Sequence, residues 1–185
     1  MDALNIDGVE SLLTAIDQGF QPDYLFFWGH RARRGDRVEK QCLSQWFPSP
    51  FTVESIDYPT AEHYMMAEKA RLFGDCVACE RILSAPHPRD AKKLGREVQG
   101  FDNRVWVQHR LEIVVRGNEA KFRQNEALRR FLLDTGQQVL VEASPVDRIW
   151  GIGLAEDNPK ATNPAEWSGI NLLGFALMEV RRQLK

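Results

Sequence analysis

The sequence predicts an α+β fold, built as a single, mainly helical domain with a few short strands. Apolar residues recur at helical spacing through most of the chain, and short runs rich in aromatic and β-branched residues mark the strands. The length of 185 residues suits one compact domain. We expect residues 1–23 to form an N-terminal helical extension and residues 24–185 to form the main domain.

The helices are predicted from apolar spacing and from capping residues. In the first, Val9, Leu12 and Ile16 share one face, and a glycine follows. Thr60 and Ser168 are expected to cap the helices that they precede, because short polar side chains can accept hydrogen bonds from first-turn N–H groups. The remaining helical segments are "PTAEHYMMAEKARLF", "DCVACERILS", "PRDAKKLGREV", "DNRVWVQHRLEIVVRGNEAKFRQ" with Gly117 as a candidate point of interruption, "NEALRRFLLDTG" and "GINLLGFALMEVRRQL".

The strands and loops complete the predicted fold. Strands are expected in "YLFFW", "PFTVESIDYP" and "QQVLVEAS". The segment "GHRARRGDRVEK" is predicted to be a basic loop or hairpin tip. Residues 144–167 form a Gly- and Pro-rich loop of about two dozen residues, and so long a loop in a compact domain is more often functional than idle.

Composition and charge exclude several classes of protein. The net charge of −2 provides no global positive field to recruit nucleic acid, so a nucleic-acid substrate would have to be held locally. The first residues contain acids and no long apolar run, which predicts the absence of a signal peptide. No stretch approaches the ~18 apolar residues of a membrane helix. We therefore expect a cytoplasmic protein without membrane contact.

The cysteines do not predict a disulfide framework. Cys42, Cys76 and Cys79 are three in number, and no second Cys or His pair accompanies the C-x2-C spacing of "CVAC". That segment is also predicted to be helical, whereas a thioredoxin-type motif would follow a strand. Structural thiols are favoured over a redox or zinc role, and neither a metal nor a cofactor is expected.

Glu62 and Lys69 form the most distinctive chemical pattern. Seven residues apart on a helix, they fall within about 20° of one another and roughly 10.5 Å apart along the axis. An ion pair on a helix surface would favour a spacing of three or four. One interpretation is a solvated helix face. The other is a pocket in which the carboxylate acts as acid or base and the amine, with a lowered pKa, as a nucleophile.

The motif "DRIWGIG" places Trp150 in the long loop between charged residues and glycines. Glycine allows the backbone to approach a ligand closely, and an indole stacks on flat heterocycles. The alternative is that Trp150 anchors the loop in the core. Four further indoles belong to Trp28, Trp46, Trp106 and Trp167, and some of them are expected in the core.

Basic and polar side chains suggest further contacts with a ligand. His30 and His63 could take part in acid–base chemistry, although a single histidine is more often structural. Asn171 could cap a helix or hold a ligand hydroxyl. An arginine cluster that either binds phosphates or forms a solvated tip comprises Arg31, Arg33, Arg34 and Arg37.

The order of the motifs resembles that of a known family. The segments "LFFWG", "LSQWF", "PTAEHYMMAEKA", "AKKLGREVQGFD", "VW", "KFRQN", "DRIWGIG" and "GINLLGFALMEVR" follow one another as they do in the NADAR, or YbiA-like, family. The resemblance extends from about residue 24 to residue 184, nearly the whole chain. It implies a YbiA-like fold in which residues 24–185 are the catalytic domain.

The activity that this resemblance implies is N-glycosidic hydrolysis of a ribosyl–amine bond to a heterocycle, without a cofactor or a metal. One substrate group is guanine carrying ADP-ribose on its exocyclic amine in DNA or RNA, so that the enzyme reverses nucleic-acid ADP-ribosylation. The other is the phosphoribosylamino-pyrimidine intermediates of riboflavin biosynthesis. A non-catalytic module that binds ADP-ribose is a rival, although it leaves the shared face of Glu62 and Lys69 unexplained. The sequence identifies no toxin partner.

The resemblance also carries site residues over by motif. Glu62, Lys69 and Asp147 are the catalytic candidates. The substrate-binding candidates are Trp28, Gly29, His30, Arg31, Ser44, Trp106, Trp150, Gly151 and Asn171.

Two departures from the family pattern concern the predicted site. Ile152 stands in "WGIG" where some members have an acid, so that Asp147 is left as the nearby carboxylate. Ser44 and Gln45 in "LSQW" replace a more usual Ser-Asn pair, which affects how a sugar or base would be held.

Overall fold

The computed structural model describes residues 6–30 and 38–185. The chain divides into two compact units. We call Met1–Ser44 together with Arg130–Lys185 the terminal unit, and Gln45–Arg129 the central unit. Each unit is described by itself below.

The described residues confirm the predicted mainly helical α+β fold with a few short strands. The strands are β1 (Tyr24–Phe27), β2 (Phe51–Val53), β3 (Ile56–Tyr58) and β4 (Val139–Glu142). The α-helices are α1 (Val9–Asp17), α2 (Ala61–Leu72), α3 (Cys76–Leu83), α4 (Pro88–Arg96), α5 (Asn103–Gln124), α6 (Glu126–Asp134) and α7 (Leu172–Gln183). Short 3₁₀ helices cover Lys40–Leu43 and Pro164–Glu166. None of the helices in these ranges is long and apolar enough to cross a membrane.

The terminal unit is built on a two-stranded parallel sheet. β1 pairs with β4 in a register that places Tyr24 opposite Val139 and Phe27 opposite Glu142. Both strands of such a sheet favour apolar residues, because helices and loops cover it. The buried core cluster contains Leu12 of α1 and Phe175 of α7, together with Val139, Val141, Ile152 and Ala161. The expected N-terminal extension is therefore built into this core through α1.

Helix α7 begins later than the sequence predicts, at Leu172, and Ser168 does not cap it. The reason is that the preceding backbone is paired with the long loop: Ile170 N–H donates to the Arg148 carbonyl, and Asn171 N–H to the Gly151 carbonyl. Asn171 takes the left-handed conformation with φ of 52°. A Cβ on Gly174 would lie 2.1 Å from the Leu140 carbonyl oxygen, so glycine is required where α7 crosses β4.

The central unit packs α3, α4 and α5 against α2. The sequence offered Gly117 as a point where α5 could be interrupted. The helix instead runs unbroken from Asn103 to Gln124. Its glycine has a packing role instead, because a Cβ there would lie 2.4 Å from the Tyr64 ring. The side chain of Tyr64 is buried, so the ring has little room to move away.

The predicted strand "PFTVESIDYP" is a β-hairpin. β2 pairs antiparallel with β3, with Phe51 opposite Tyr58 and Val53 opposite Ile56. The two turn residues, Glu54 and Ser55, have φ of 50° and 64°. Positive φ at both central residues is the geometry of the two-residue turns that match strand twist.

Candidate active site

Glu62 lies in the first turn of α2 and is only 2% exposed. The helix is capped by Thr60, whose hydroxyl accepts the His63 N–H at 3.4 Å. The backbone N–H of Glu62 donates to the Gln45 carbonyl at 3.0 Å. Because both of these first-turn N–H groups are satisfied, the position of the Glu62 backbone is well defined. Glu62 therefore does not lie on a solvated face.

Almost all of α2 is covered within the protein. Ala61 and Met65 are buried, whereas Leu72 near the end of the helix is only half-buried. Met66 is buried as well, and its sulfur would lie 2.1 Å from a Cβ on Gly95. The side of α2 that carries Glu62 and Met66 is thus as enclosed as the side that carries Ala61 and Met65.

Lys69 is half-buried among aromatic rings and a backbone carbonyl. Its Nζ donates to the Gly95 carbonyl at 2.7 Å. The same nitrogen lies 4.1 Å from the centre of the Phe101 ring and 5.7 Å from that of Trp106. Burial lowers the pKa of Lys69 below its usual value, and the nearby charge of Arg96 lowers it further. This amine is therefore more readily neutral than one on the surface.

His63 is a structural residue, as its sequence context favoured. Its Nδ1 is 2.8 Å from the Thr60 hydroxyl, and its Nε2 is 3.1 Å from the Ala85 carbonyl. The ring is fully buried, and burial lowers its pKa. Both ring nitrogens are thus engaged within the central unit.

Asp147, in the terminal unit, shapes the long loop. Its Oδ1 accepts the N–H groups of Ile149 at 2.9 Å and Trp150 at 2.8 Å. Its carbonyl accepts the Gly153 N–H at 3.0 Å. An Asp side chain that bonds backbone N–H groups two and three residues later stabilises a turn. The catalytic role expected of Asp147 stays a prediction.

The motif around Trp150 is held by close backbone packing. A Cβ on Gly151 would lie 2.7 Å from the Glu142 carbonyl oxygen. Ile152 is fully buried in the core cluster, and its N–H donates to that same carbonyl at 2.9 Å. In this chain, an acid at position 152 would be buried among the apolar side chains of that cluster, at a cost in stability. Trp150 is half-buried, and its predicted stacking role stays a prediction.

Asn171 clamps α7 to β4. Its Oδ1 accepts the Glu142 N–H at 2.9 Å, and its Nδ2 donates to the Leu140 carbonyl at 2.9 Å. The residue is fully buried. Both ends of the side-chain amide thus bond the backbone of the strand, a role that the sequence did not predict. A contact of Asn171 with a ligand hydroxyl stays a prediction.

The other predicted binding residues of the terminal unit differ in exposure. The Trp28 side chain is 61% exposed, and Gly29 has φ of 78°, a conformation that favours glycine. His30 and Ser44 are half-buried. Arg31 and the rest of the arginine cluster lie outside the described residues, so their expected contacts with phosphate stay predictions.

Sequence reasoning missed the residues that set the environment of Lys69. Phe101 and the Gly95 carbonyl belong to "AKKLGREVQGFD", a segment that carried the family resemblance but no assigned role. A backbone carbonyl leaves no signal in a sequence, whereas an aromatic residue just before a helix cap is a weak one. Among residues 6–30 and 38–185, no group of three or more His, Cys, Asp or Glu could hold a metal ion.

The chain matches known proteins over most of its length. A model of the NADAR domain matches residues 26–185. An N-glycosidase of Acanthamoeba polyphaga mimivirus is 41% identical over 165 residues, which are 86% of this chain and 95% of that protein. The N-glycosidase YbiA of Escherichia coli is 33% identical over 135 residues, or 73% of this chain and 76% of the relative.

A third relative carries a different description. A riboflavin biosynthesis protein of Vibrio vulnificus is 34% identical over 143 residues, which are 77% of this chain but only 35% of that longer protein. Among solved structures, the NMR structure of Escherichia coli YbiA matches with a TM-score of 0.68 and 28% identity. That match covers 90% of this chain and 88% of the other.

Proposed function

Because this chain belongs to the NADAR family and several of its relatives are named N-glycosidases, we propose that it removes ADP-ribose from the exocyclic amine of guanine in nucleic acid. The enzyme class, N-glycosyl hydrolase, is that of the relatives. The bond and the substrate are the proposal. No cofactor enters the proposed reaction.

The observation that supports this reaction best is the environment of Lys69. Its amine is half-buried, lies against Phe101 and Trp106, and has a lowered pKa. A neutral amine is a nucleophile, whereas an ammonium is only a countercharge. The carbonyl of Gly95 accepts a hydrogen bond from the amine and fixes its direction. This environment favours covalent chemistry over an electrostatic role.

The proposed reaction has two stages. In the first, the bond between C1 and the ring oxygen of the ribose breaks and that oxygen takes a proton, while the Lys69 nitrogen adds to C1 and a second proton moves to the nitrogen of the guanine amine. The C1–N bond to guanine then breaks, which releases guanine with an intact amine and leaves an imine between Lys69 and C1. In the second, water adds to C1 and the C1–N bond to Lys69 breaks. The products are free ADP-ribose and the unmodified enzyme, for a net consumption of one water.

Glu62 would move the protons in both stages. Glu62 and Lys69 project from the same face of α2, with their backbone positions roughly 10.5 Å apart along the axis, so that a C1 atom between them would be approached from both ends. A buried carboxylic acid can donate a proton to the leaving amine and then, as a carboxylate, take one from the attacking water. Direct attack of water on C1 with Glu62 as the base is the alternative route, and it does not require an amine at position 69.

The choice of ADP-ribose rests on the sequence. The four arginines at positions 31, 33, 34 and 37 suit a pyrophosphate better than a single phosphate, because each guanidinium can bind two phosphate oxygens. These arginines lie outside the described residues.

A second candidate substrate is favoured by one specific observation. The Vibrio vulnificus relative is named a riboflavin biosynthesis protein. Phosphoribosylamino-pyrimidine intermediates of that pathway carry the same type of ribosyl–amine bond, so the proposed chemistry of Lys69 and Glu62 would apply unchanged.

One parallel assay tests the proposal. The protein is incubated with an oligonucleotide that carries ADP-ribosylated guanine and, separately, with the phosphoribosylamino-pyrimidine, and the release of the sugar phosphate is measured. We expect faster release of ADP-ribose. Faster turnover of the pyrimidine would overturn the choice of substrate. Retention of the oligonucleotide without release would mean that the chain is a binding module and not an enzyme.

A further inference from the structure

A pair of buried amide side chains connects α5 to the segment that precedes α2. Within the central unit, Asn118 Nδ2 donates to Gln45 Oε1 at 2.8 Å. Asn118 is fully buried, and Gln45 is 6% exposed. The same nitrogen of Asn118 also donates to the Val114 carbonyl one turn earlier in α5 at 2.9 Å. The Gln45 side chain is therefore held by a buried side chain of the long helix α5.

The backbone of Gln45 holds the other end of this connection. The first N–H groups of a helix have no partner within it and need one from outside. In α2, the Thr60 side chain accepts a hydrogen bond from the His63 N–H, whereas the Gln45 carbonyl accepts one from the Glu62 N–H at 3.0 Å. Gln45 thus completes the cap of α2 at the residue that carries the carboxylate.

Stability alone does not explain the pair. Gln45 Nε2 and Asn118 Oδ1 are buried and lack a hydrogen-bond partner in the described part of the chain. A buried network with unmet polar ends is less stable than apolar side chains of the same shape. Features that cost stability are expected where they serve function. This pair lies one backbone hydrogen bond from Glu62.

We propose that Gln45 is a positioning residue that sets the location of the Glu62 carboxylate, with Asn118 as its anchor. The inference rests on the proposed role of Glu62. Without the anchor, the Gln45 carbonyl and the first turn of α2 shift together, because the hydrogen bond between them remains. A misplacement of about 1 Å at a reacting group can lower the rate by about 100-fold.

Three variants separate positioning from stability: Gln45→Met, Asn118→Leu and the double variant. Gln45→Met removes one of the two acceptors of Asn118 Nδ2, and Asn118→Leu removes the donor to Gln45 Oε1, so we expect a lower Tm in each single variant. The double variant replaces both amides by apolar side chains and should recover most of the Tm. The kcat should fall at least about tenfold in all three, with KM changed less than about twofold. Gln108→Met, at an exposed position on α5, is the matched control and should change neither quantity.

The outcomes distinguish this inference from the proposed function. If kcat recovers together with Tm in the double variant, the pair is only structural and the inference is wrong. Full kcat in Gln45→Met, with an active wild-type protein, also overturns the inference alone. A wild-type protein that is inactive on both candidate substrates overturns the proposed function, and the positioning role with it.

Discussion

At the scale of single residues, Glu62 and Lys69 share one face of α2 but have different environments. Glu62 is buried beside the helix cap, whereas Lys69 is half-buried and its pKa is lowered. The sequence predicts that both lie on one face, because that follows from helix geometry alone. It does not predict their burial, because burial depends on the other segments that pack against α2.

Replacing the carboxylate tests the proton-transfer role. Glu62→Gln is nearly isosteric, so we expect the fold to persist and turnover to fall by about 10²–10⁴-fold, the usual contribution of a general acid–base group. Steady-state kinetics and thermal unfolding measure the two effects. Glu68→Gln, on the same helix and paired with Arg71, is the control and should retain turnover. Wild-type turnover in a folded Glu62→Gln protein would remove Glu62 from the site.

The pH dependence tests the protonation state of Lys69. A nucleophilic amine must be neutral, so turnover should rise with pH until it passes the lowered pKa of Lys69 and then level off. The midpoint of the rise should lie below the usual lysine pKa of about 10.4. The profile of initial rates against pH shows this. A Lys69→Arg protein that retains both turnover and the same profile would exclude the amine as its origin.

The stacking role of Trp150 is tested by truncation. Trp150→Ala should weaken substrate binding by roughly 1–3 kcal/mol, the value of stacking one base on an aromatic ring. Titration calorimetry with the product ADP-ribose or with guanosine, beside thermal unfolding, separates binding from stability. A large loss of Tm without a loss specific to the ligand would show that Trp150 anchors the loop, consistent with its half-buried position.

At the scale of elements, the close approach of α2 and α5 was not predictable. The sequence offered Gly117 as a break in a helix because glycine has low helix propensity. The structure uses it as the point where the Tyr64 ring meets the α5 backbone. The late start of α7 has the same type of cause, since N–H groups of residues 170 and 171 bond loop carbonyls. In both cases tertiary contacts override the local pattern.

The packing role of Gly117 predicts that alanine at this position changes stability in the opposite direction from alanine at an exposed helix position. At an exposed helix position, Gly→Ala stabilises a protein by roughly 0.5–1 kcal/mol. Gly117→Ala should instead destabilise the protein by about 1–3 kcal/mol, because the added methyl group overpacks the Tyr64 contact. Denaturant unfolding measures the difference, with Glu112→Ala at an exposed position on α5 as the control. A Gly117→Ala protein more stable than wild type would show that α5 has room at this point.

At the scale of the whole molecule, the class of fold and the family were predictable, and both are confirmed. Residue patterns with periods of two and 3.6 indicate strands and helices, and the order of motifs indicates the family. The division into two units was not predictable, because the terminal unit joins residues from both ends of the chain. The predicted site residues belong to both units: Glu62, Lys69 and Trp106 to the central unit, and the remainder to the terminal unit.

Reductive trapping tests the proposed imine between Lys69 and C1 most directly. Sodium borohydride is added during turnover of the ADP-ribosylated oligonucleotide, and the intact mass of the protein is recorded. A Lys69 imine predicts an adduct of the protein with reduced ADP-ribose, mapped to Lys69 by peptide mass and missing in Lys69→Arg. If no adduct forms while the wild-type protein turns over, and Lys69→Arg retains most of its activity, water attacks C1 directly and the account of Lys69 is wrong.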